Sequence, residues 1–270
     1  MTATLRTEFR KLVTTRIWWV LLAAMAAYMV FLGATMAFSF TVDGGTTTSV
    51  TGSTTTTQLD PLDIARTVYT LAPALAYVFP VIVGVLSITG EVRHKTTTLT
   101  YLVEPRRGRV LVAKLVASLP VGVLFGLAGT AATVLAGATV LGIRGDATML
   151  GEPTVWRAIG LSVLAMTVWC MVGVGFGAVL PNQVAAIVVL LAFTQFVEPL
   201  VRIGLVAVHA PGVAQWLPGA AGEAITGASL YTSLAGGQML PWWQGLLVLV
   251  GYGLLLAGIG RVTTVRRDVT

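Results

Sequence analysis

Long apolar stretches alternate with short polar segments along nearly the whole chain. Six of them approach or exceed the length of about 20 mostly apolar residues that a helix needs to cross a bilayer. They run over residues 17–40, 71–89, 110–141, 155–180, 184–206 and 242–260. The pattern therefore predicts an all-α integral membrane protein with six transmembrane helices, built as a single transmembrane domain over residues 1–270.

Composition narrows the class of partner. Of the 270 residues, 56% are hydrophobic and 10% are charged, against about 25% charged in an ordinary soluble domain. The net charge of +6 is scattered along the chain, and no basic run lies beside aromatic residues as a nucleic-acid groove requires. We expect a lipid bilayer around this chain and no nucleic-acid partner.

The basic residues indicate the orientation, because Lys and Arg in short loops resist translocation. With the N-terminus inside, 13 of the 17 basic residues fall on the cytoplasmic side: Arg6, Arg10, Lys11, Arg16, Arg93, Lys95, Arg106, Arg107, Arg109, Lys114, Arg261, Arg266 and Arg267. The chain is therefore predicted to be a multi-pass protein of the cell membrane with both termini in the cytoplasm.

Residues 2–16 have the pattern of an amphipathic helix. Leu5, Phe9 and Leu12 share one face, as the helical period requires. The cations beside this stripe are expected to anchor the helix to lipid phosphates, and they are Arg6, Arg10 and Lys11. Such a helix lying in the membrane surface is either a simple anchor of the first span or a lever that transmits motion from a cytoplasmic partner.

Two longer segments are predicted on the exterior side. Residues 41–70 open with a Thr, Gly and Ser tract that has no periodicity, which is typical of a solvated loop. The region between the fifth and sixth apolar stretches contains Trp216-Leu-Pro-Gly-Ala-Ala-Gly-Glu-Ala-Ile-Thr226. That segment is apolar but too short to span, which favours short interfacial or re-entrant helices.

The cytoplasmic segment 91–109 combines an apolar ridge with a basic end. Leu99, Leu102 and Val103 share a helical face, and Glu104-Pro105 is expected to end the helix. Because four threonines lie at residues 96–100, this helix needs a docking partner for its stability. The arginines that follow are expected to hold lipid head groups, and they are Arg106, Arg107 and Arg109.

The sequence contains no recognisable catalytic or metal-binding set. It lacks the H-E-x-x-H, G-x-S-x-G and phosphate-loop patterns, so an enzyme and a metal centre are not expected. Any ATP-driven work would need a second polypeptide.

Glu198 and Arg202 are spaced four residues apart in the fifth apolar stretch, where ionisable groups are functional candidates. The same spacing also makes a self-compensating structural pair, with Pro199 placed to kink or end the helix.

Glycines recur at four-residue spacing in Gly122/Gly126 and in Gly173/Gly177. Small residues at this spacing let helices approach closely. In spans this rich in Gly and Ala, the pattern favours packing within the chain over a dimer seam.

Several segments, in order, resemble the type-2 ATP-binding cassette permeases, and especially the membrane subunits of small bacterial exporters. The segments are Leu5-Arg-x-Glu-x-x-Lys-Leu12, Glu91-x-Arg-His-Lys-Thr-Thr97, Pro105-Arg-Arg107 leading to Val110-Leu-Val-Ala-Lys114, Pro181-Asn-Gln-Val-Ala-Ala-Ile187 and Val197-Glu-Pro199. Each is a loose pattern, and their order and spacing carry the resemblance over nearly the whole chain.

The resemblance implies a permease that pairs with a second permease subunit, identical or related, and with two copies of a cytoplasmic ATPase. ATP and Mg would bind to that ATPase, and no cofactor to this chain. The loop after the second span would be the coupling helix seated against the ATPase, and the N-terminal helix would connect to it. Carried onto this chain, the contact residues are Glu91, Arg93, His94, Lys95, Thr97, Leu99, Leu102, Val103 and Glu104.

The predicted function is ATP-driven export. Motion of the ATPase subunits would push the 91–104 segments and rock the paired spans open. A path along the second and fifth spans would be mostly apolar, which favours a hydrophobic or amphipathic substrate; its candidate lining is Phe79, Gln195, Phe196 and Glu198. The alternative is a non-transporting membrane scaffold or sensor that uses the same loop to recruit a cytoplasmic regulatory protein.

Overall fold

The computed structural model describes residues 2–42, 46–47, 57–58, 60–96, 102, 106–208, 210–227 and 238–263. The helices are α1 Thr2–Thr14, α2 Arg16–Val42, α3 Pro61–Tyr69, α4 Val78–Arg93, α5 Arg107–Arg144, α6 Pro153–Val179, α7 Gln183–Ala192, α8 Glu198–Ala207, α9 Pro211–Ala214, α10 Pro218–Thr226 and α11 Trp242–Thr263. Two π-helical turns cover Ala72–Ala76 and Phe193–Val197, and a small antiparallel pair joins β1 Thr46–Thr47 to β2 Thr57–Gln58.

In the part of the chain that the structure describes, six continuous helical segments are long and apolar enough to cross a membrane, as the hydrophobic pattern predicts. These six spans are Arg16–Val42, Pro61–Arg93, Arg107–Arg144, Pro153–Val179, Gln183–Ala207 and Trp242–Thr263. The prediction of an all-α membrane protein is confirmed.

The fourth span is the centre of the bundle. It packs against the second, third and sixth spans, whereas the first span packs mainly on the third. The burial of the spans follows this arrangement. In the most apolar part of the fourth span 61% of the residues are buried, against 22% in the first and fifth spans. The fourth span therefore lies in the core, and the first and fifth present most of their side chains to the surroundings.

Glycines set the closest helix contacts of this core. A Cβ on Gly84 of the second span would overlap the carbonyl of Cys170, and a Cβ on Gly173 of the fourth span would overlap that of Val81. In the third span, Gly122 and Gly126 lie directly against the backbone of the fourth. Both four-residue glycine pairs that the sequence displays therefore serve packing within the chain, as small residues do in membrane bundles.

The second span begins earlier than its most apolar stretch. Helix α3 starts at Pro61, inside the segment assigned to the exterior loop, because Asp60 caps it: its carboxylate accepts a hydrogen bond from the Leu62 N–H at 3.0 Å. Proline is well suited to the first helical position. The inner face of α3 buries Val68 and Tyr69, so this part of the predicted loop is a packed helix.

Each π-helical turn lies next to proline. Pro73 lies within the first turn, and Pro199 follows the second by two residues. Proline lacks an N–H and clashes with the carbonyl four residues back, and a π turn accommodates that defect without ending the helix. The fifth span consequently continues through Pro199 as a helix to Ala207.

Candidate functional site

Four charged residues from three helices form one ion network, here called the Glu8 network: Glu8, Lys11, Glu91 and Lys114. The Lys11 ammonium donates to Glu8 Oε1 at 2.8 Å and to Glu91 Oε1 at 2.8 Å. The Lys114 ammonium donates to Glu8 Oε2 at 2.6 Å and lies 3.0 Å from Glu91 Oε1. The network joins the N-terminal helix α1, the end of the second span and the start of the third.

The Glu8 network is largely shielded from solvent. The side chains of Glu8, Glu91 and Lys114 are 4%, 13% and 7% exposed, whereas that of Lys11 is 41% exposed and lies at the edge of the network. Lys114 also donates to the backbone carbonyl of Ser87 at 2.8 Å, so its ammonium is held on several sides. Two carboxylates and two ammonium groups balance in charge, and such mutual pairing is what makes buried charges tolerable.

The pKa values of the two network residues on α1 are shifted in opposite directions: that of Glu8 is lowered and that of Lys11 is raised. Burial alone would raise the pKa of Glu8, but the charge of Lys114 and the hydrogen bonds from both lysines outweigh it and hold that pKa below the ordinary value. Burial alone would lower the pKa of Lys11, and the bonds to Glu8 and Glu91 instead raise it. Each group is therefore stabilised in its charged form.

The sequence predicts other roles for two members of this network and no role for the other two. Glu91 is predicted as an ATPase contact and Lys11 as a lipid anchor. Glu8 and Lys114 lie in the segments that resemble the permease family, but the sequence predicts no role for either. One signal could have identified them: Glu8 is an acidic residue between Arg6 and Arg10 in the sequence, and Lys114 is a cation inside an apolar stretch, where cations are rare unless paired.

The predicted ATPase contacts begin at the end of the second span. Arg93 ends helix α4 and donates to Gln183 Oε1 at 3.3 Å, His94 caps the helix, and Lys95 has a positive φ of 55°. Thr97, Leu99, Val103 and Glu104 lie outside the described residues. Leu102 is helical and 73% exposed. The contact of Leu102 with the ATPase stays a prediction.

A second buried group lies toward the C-terminal end of the fifth span, away from Gln183. It is called here the Glu198 cluster and consists of Glu198, Arg202 and Glu223. The Arg202 guanidinium donates to Glu198 Oε1 at 2.9 Å and to Glu223 Oε1 at 2.8 Å. The Ala220 N–H also donates to Glu198 Oε1, at 3.0 Å. The predicted Glu198–Arg202 pair is therefore present, and the cluster ties helix α10 to the fifth span through Glu223.

The two π-helical turns meet between these charged groups. The Tyr77 hydroxyl, at the end of the first turn, donates to the Thr194 carbonyl in the second at 3.2 Å. The Tyr77 ring stacks on Trp169 of the fourth span, with centroids 4.3 Å apart. Because π turns often mark functional positions, this contact between the second and fifth spans is a candidate for one that changes between conformations.

The predicted substrate-path residues lie around this contact in different environments. Phe79 is half-buried, with its ring centroid 6.1 Å from that of Tyr28. Gln195 is half-buried, Phe196 is 70% exposed, and Glu198 is buried in its cluster. Phe79 lies on the second span, and the other three residues lie on the fifth.

The predicted membrane anchors lie at span ends and on α1. Arg6 and Arg10 are exposed on α1, opposite the buried Glu8. Arg106, Arg107 and Arg109 gather at the start of the third span. The arrangement leaves these cations where lipid head groups could meet them.

These features define an all-α, multi-pass membrane protein whose N-terminal helix is joined to two of its spans by ion pairs between side chains. The chain belongs to the ABC-2 transporter family, because the family model described as "ABC-2 family transporter protein" matches residues 2–269. It is accordingly the membrane-spanning permease subunit of an ABC transporter, a component that works with a separate ATP-binding subunit. The family resemblance expected from the sequence is confirmed. No individually curated protein matches the chain.

Proposed function

We propose that this permease couples ATP hydrolysis by two copies of a cytoplasmic ATPase subunit to export of a hydrophobic or amphipathic substrate. It would act with a second permease subunit, and both termini would face the cytoplasm. ATP and Mg would be bound by the ATPase. The Glu8 network is the single observation that carries this proposal.

The network supports coupling because of what it connects. Glu91 lies three residues before His94, where helix α4 ends and the loop to the third span begins. Its carboxylate is bonded to Lys11 of the N-terminal helix and lies 3.0 Å from Lys114 of the third span. A displacement of the loop would therefore be transmitted to three helices together, because buried ion pairs resist separation.

The substrate path would open where the second and fifth spans touch. One hydrogen bond, Tyr77 to Thr194 at 3.2 Å, crosses between the π turns, and such a bond in a membrane protein is worth only about 0.6 kcal/mol. The exposed surface beyond it is apolar and includes Phe196 and Leu200. A weak contact flanked by apolar side chains suits a lateral path for lipid-like molecules.

Leu102→Asp tests the contact with the ATPase. Leu102 is 73% exposed, so the change should leave the membrane domain folded, while a carboxylate in an apolar interface should abolish docking. We expect the variant to elute as a folded permease from a sizing column in mild detergent but to lose the co-purifying ATPase subunit.

Val262→Asp is the matched control. Val262 is 62% exposed in the last turn of the sixth span, on the same predicted side of the membrane but outside the 91–109 segment. The Val262→Asp variant should therefore still co-purify with the ATPase subunit. Full retention by Leu102→Asp as well would count against this docking site, and co-purification of a regulatory protein in place of an ATPase would favour the scaffold function.

A further inference from the structure

Two buried polar atoms without a hydrogen-bond partner lie near the contact between the second and fifth spans. They are Glu198 Oε2 and the indole Nε1 of Trp169, and neither atom has a partner within the described part of the chain. Glu198 is 2% exposed and Trp169 is 1% exposed, so neither atom is hydrated from the protein surface. A buried polar atom left unpaired is costly, and native proteins contain few of them.

One face of helix α10 covers both groups. A Cβ added to Gly219 would lie 2.6 Å from Glu198 Oε1, and a Cβ added to Gly222 would lie 2.6 Å from Trp169 Nε1. Positions three residues apart are neighbours on a helix surface. The carboxylate and the indole N–H are therefore at most about 11 Å apart. The two unpaired atoms and the Gly219/Gly222 face over them are called here the Glu198–Trp169 site.

Both groups are held in place by their other contacts. Glu198 Oε1 accepts hydrogen bonds from the Arg202 guanidinium at 2.9 Å and from the Ala220 N–H at 3.0 Å, which leaves Oε2 as the available acceptor. The Trp169 ring is stacked on Tyr77, with ring centroids 4.3 Å apart. A few fixed polar atoms among apolar and aromatic side chains are typical of a small-molecule site.

The chemistry of the two atoms selects the kind of group that can pair with both. An indole N–H only donates a hydrogen bond, and an ionised carboxylate only accepts one. An ammonium group could pair with Glu198, but it would present N–H groups to the indole donor of Trp169. A ketone could pair with the indole, but it offers no donor to the carboxylate. A hydroxyl both donates and accepts, so it can satisfy both atoms.

We propose that the Glu198–Trp169 site binds the hydroxyl head group of an uncharged amphiphile, the class of substrate that this permease exports. The inference rests on the proposed export function. The site adjoins the proposed path, because Tyr77 stacks on Trp169 and donates to Thr194, one turn before Glu198. The hydrocarbon part would lie along the exposed apolar surface at Phe196. Helix α10 would shift to admit the head group.

The test compares three probes that share one carbon skeleton: a long-chain secondary alcohol, the corresponding ketone and the methyl ether of the alcohol. Each is titrated into the complex of the permease and its ATPase subunit in neutral detergent, without nucleotide, and Tm is measured. We expect the alcohol to raise Tm in a saturable manner. Its apparent affinity should exceed that of the ketone and the ether about tenfold, because only the alcohol donates to the carboxylate.

Glu198→Gln should reverse this preference. The groups that bind Oε1 are donors, so the amide oxygen of glutamine must take that position and its NH₂ group must take the position of Oε2. The site would then present two donors, and the ketone should bind more tightly than the alcohol. A purely structural role of Glu198 would lower Tm in the absence of a probe without reversing the order of the two probes.

Trp169→Phe tests the other half of the site. It keeps an aromatic ring beside Tyr77 but removes the indole N–H, and it should weaken binding of the alcohol about threefold, the scale of one neutral hydrogen bond. Trp216→Phe is the matched control. Trp216 is 49% exposed and lies outside the site, so this variant should bind the alcohol as the wild type does.

Three results would overturn the site. They are equal apparent affinities of the wild type for the three probes, a preference for the alcohol that survives in folded Glu198→Gln, and equal binding by Trp169→Phe and Trp216→Phe. Any of them would leave the proposed export function in place, because the titrations involve no ATP. Failure of the wild-type permease to co-purify with an ATPase subunit would instead contradict the proposed function.

Discussion

Lys114 illustrates how one residue can hold several helices together. Its ammonium is 2.6 Å from Glu8 Oε2 and 3.0 Å from Glu91 Oε1, and it donates to the Ser87 carbonyl. A lone cation at the end of an apolar stretch could have been read as part of the basic membrane surface. The structure shows it as a buried partner of two carboxylates on other helices.

Lys114→Met should destabilise the protein by about 3 to 5 kcal/mol, because it leaves two buried carboxylates with only the more exposed ammonium of Lys11 between them. A denaturant titration in mild detergent measures this loss. The double variant Glu8→Gln/Lys114→Met removes a charge of each sign and should recover much of it. Equal stability of Lys114→Met and the wild type would show that the network does not hold the helices together.

The pH dependence of α1 docking follows from the two shifted pKa values. The pKa of Glu8 is below its ordinary 4.5, so its contribution is present above pH 4.5 and is lost as the pH falls through the folded value. The pKa of Lys11 is above its ordinary 10.5, so its contribution is present below pH 10.5 and is lost as the pH rises through the folded value. Docking should therefore be constant between these limits.

A spin label on α1 measures this directly. Arg10 is exposed, so Arg10→Cys in a Cys170→Ser background can be labelled without touching the network. The label should stay immobile from about pH 5 to pH 10 and gain mobility only beyond that window. A change of mobility near pH 7 would contradict the assigned shifts, and Glu8→Gln should remove the transition on the acid side.

At the scale of elements, the second and fourth spans are held by glycine contacts. Gly84 lies against the Cys170 carbonyl, so Gly84→Val should force these spans apart and cost about 2 kcal/mol or more, as overpacking does. Gly90 is on the same helix with nothing within 4 Å of an added Cβ. Gly90→Val should therefore be nearly neutral, and Tm in detergent compares the two. Equal losses would mean that the effect comes from helix propensity and not from packing.

The sequence predicts these elements unevenly, for physical reasons. Span positions follow from apolar length alone, which is why 110–141 and 184–206 correspond closely to the observed helices. Helix α3 was missed because its signal is local, a cap at Asp60 followed by Pro61, inside a polar segment. The π turns have no hydrophobic signature, so the pattern could indicate only the prolines beside them.

The candidate site was harder to predict, because its partners are distant in sequence. The Glu198–Arg202 pair lies within one helix turn and could be predicted from spacing, whereas Glu223 joins it from α10. The Glu8–Lys114 bond spans 106 residues, and no periodicity indicates which charges meet across a bundle. Family resemblance identified the segments involved but not their ion pairs.

At the scale of the whole molecule, the structure places charged groups at both ends of a weak apolar contact. The Glu8 network ties the N-terminal helix and the second and third spans, and the Glu198 cluster ties helix α10 to the fifth span. Between them, Tyr77 and Thr194 share one hydrogen bond. This arrangement suits a transporter in which a push at one end separates two spans in the middle.

Cross-linking across that contact tests the coupling most directly. Tyr77→Cys and Thr194→Cys, in a Cys170→Ser background, are joined by a short thiol cross-linker in the reconstituted complex with its ATPase subunit. The rate should change several-fold between nucleotide-free and ATP-bound complexes, and Glu91→Gln should suppress this dependence while the ATPase remains bound. A complex with an ATPase subunit that cannot bind ATP is the control. A cross-linking rate that ignores ATP while the complex hydrolyses it would contradict coupling through the Glu8 network.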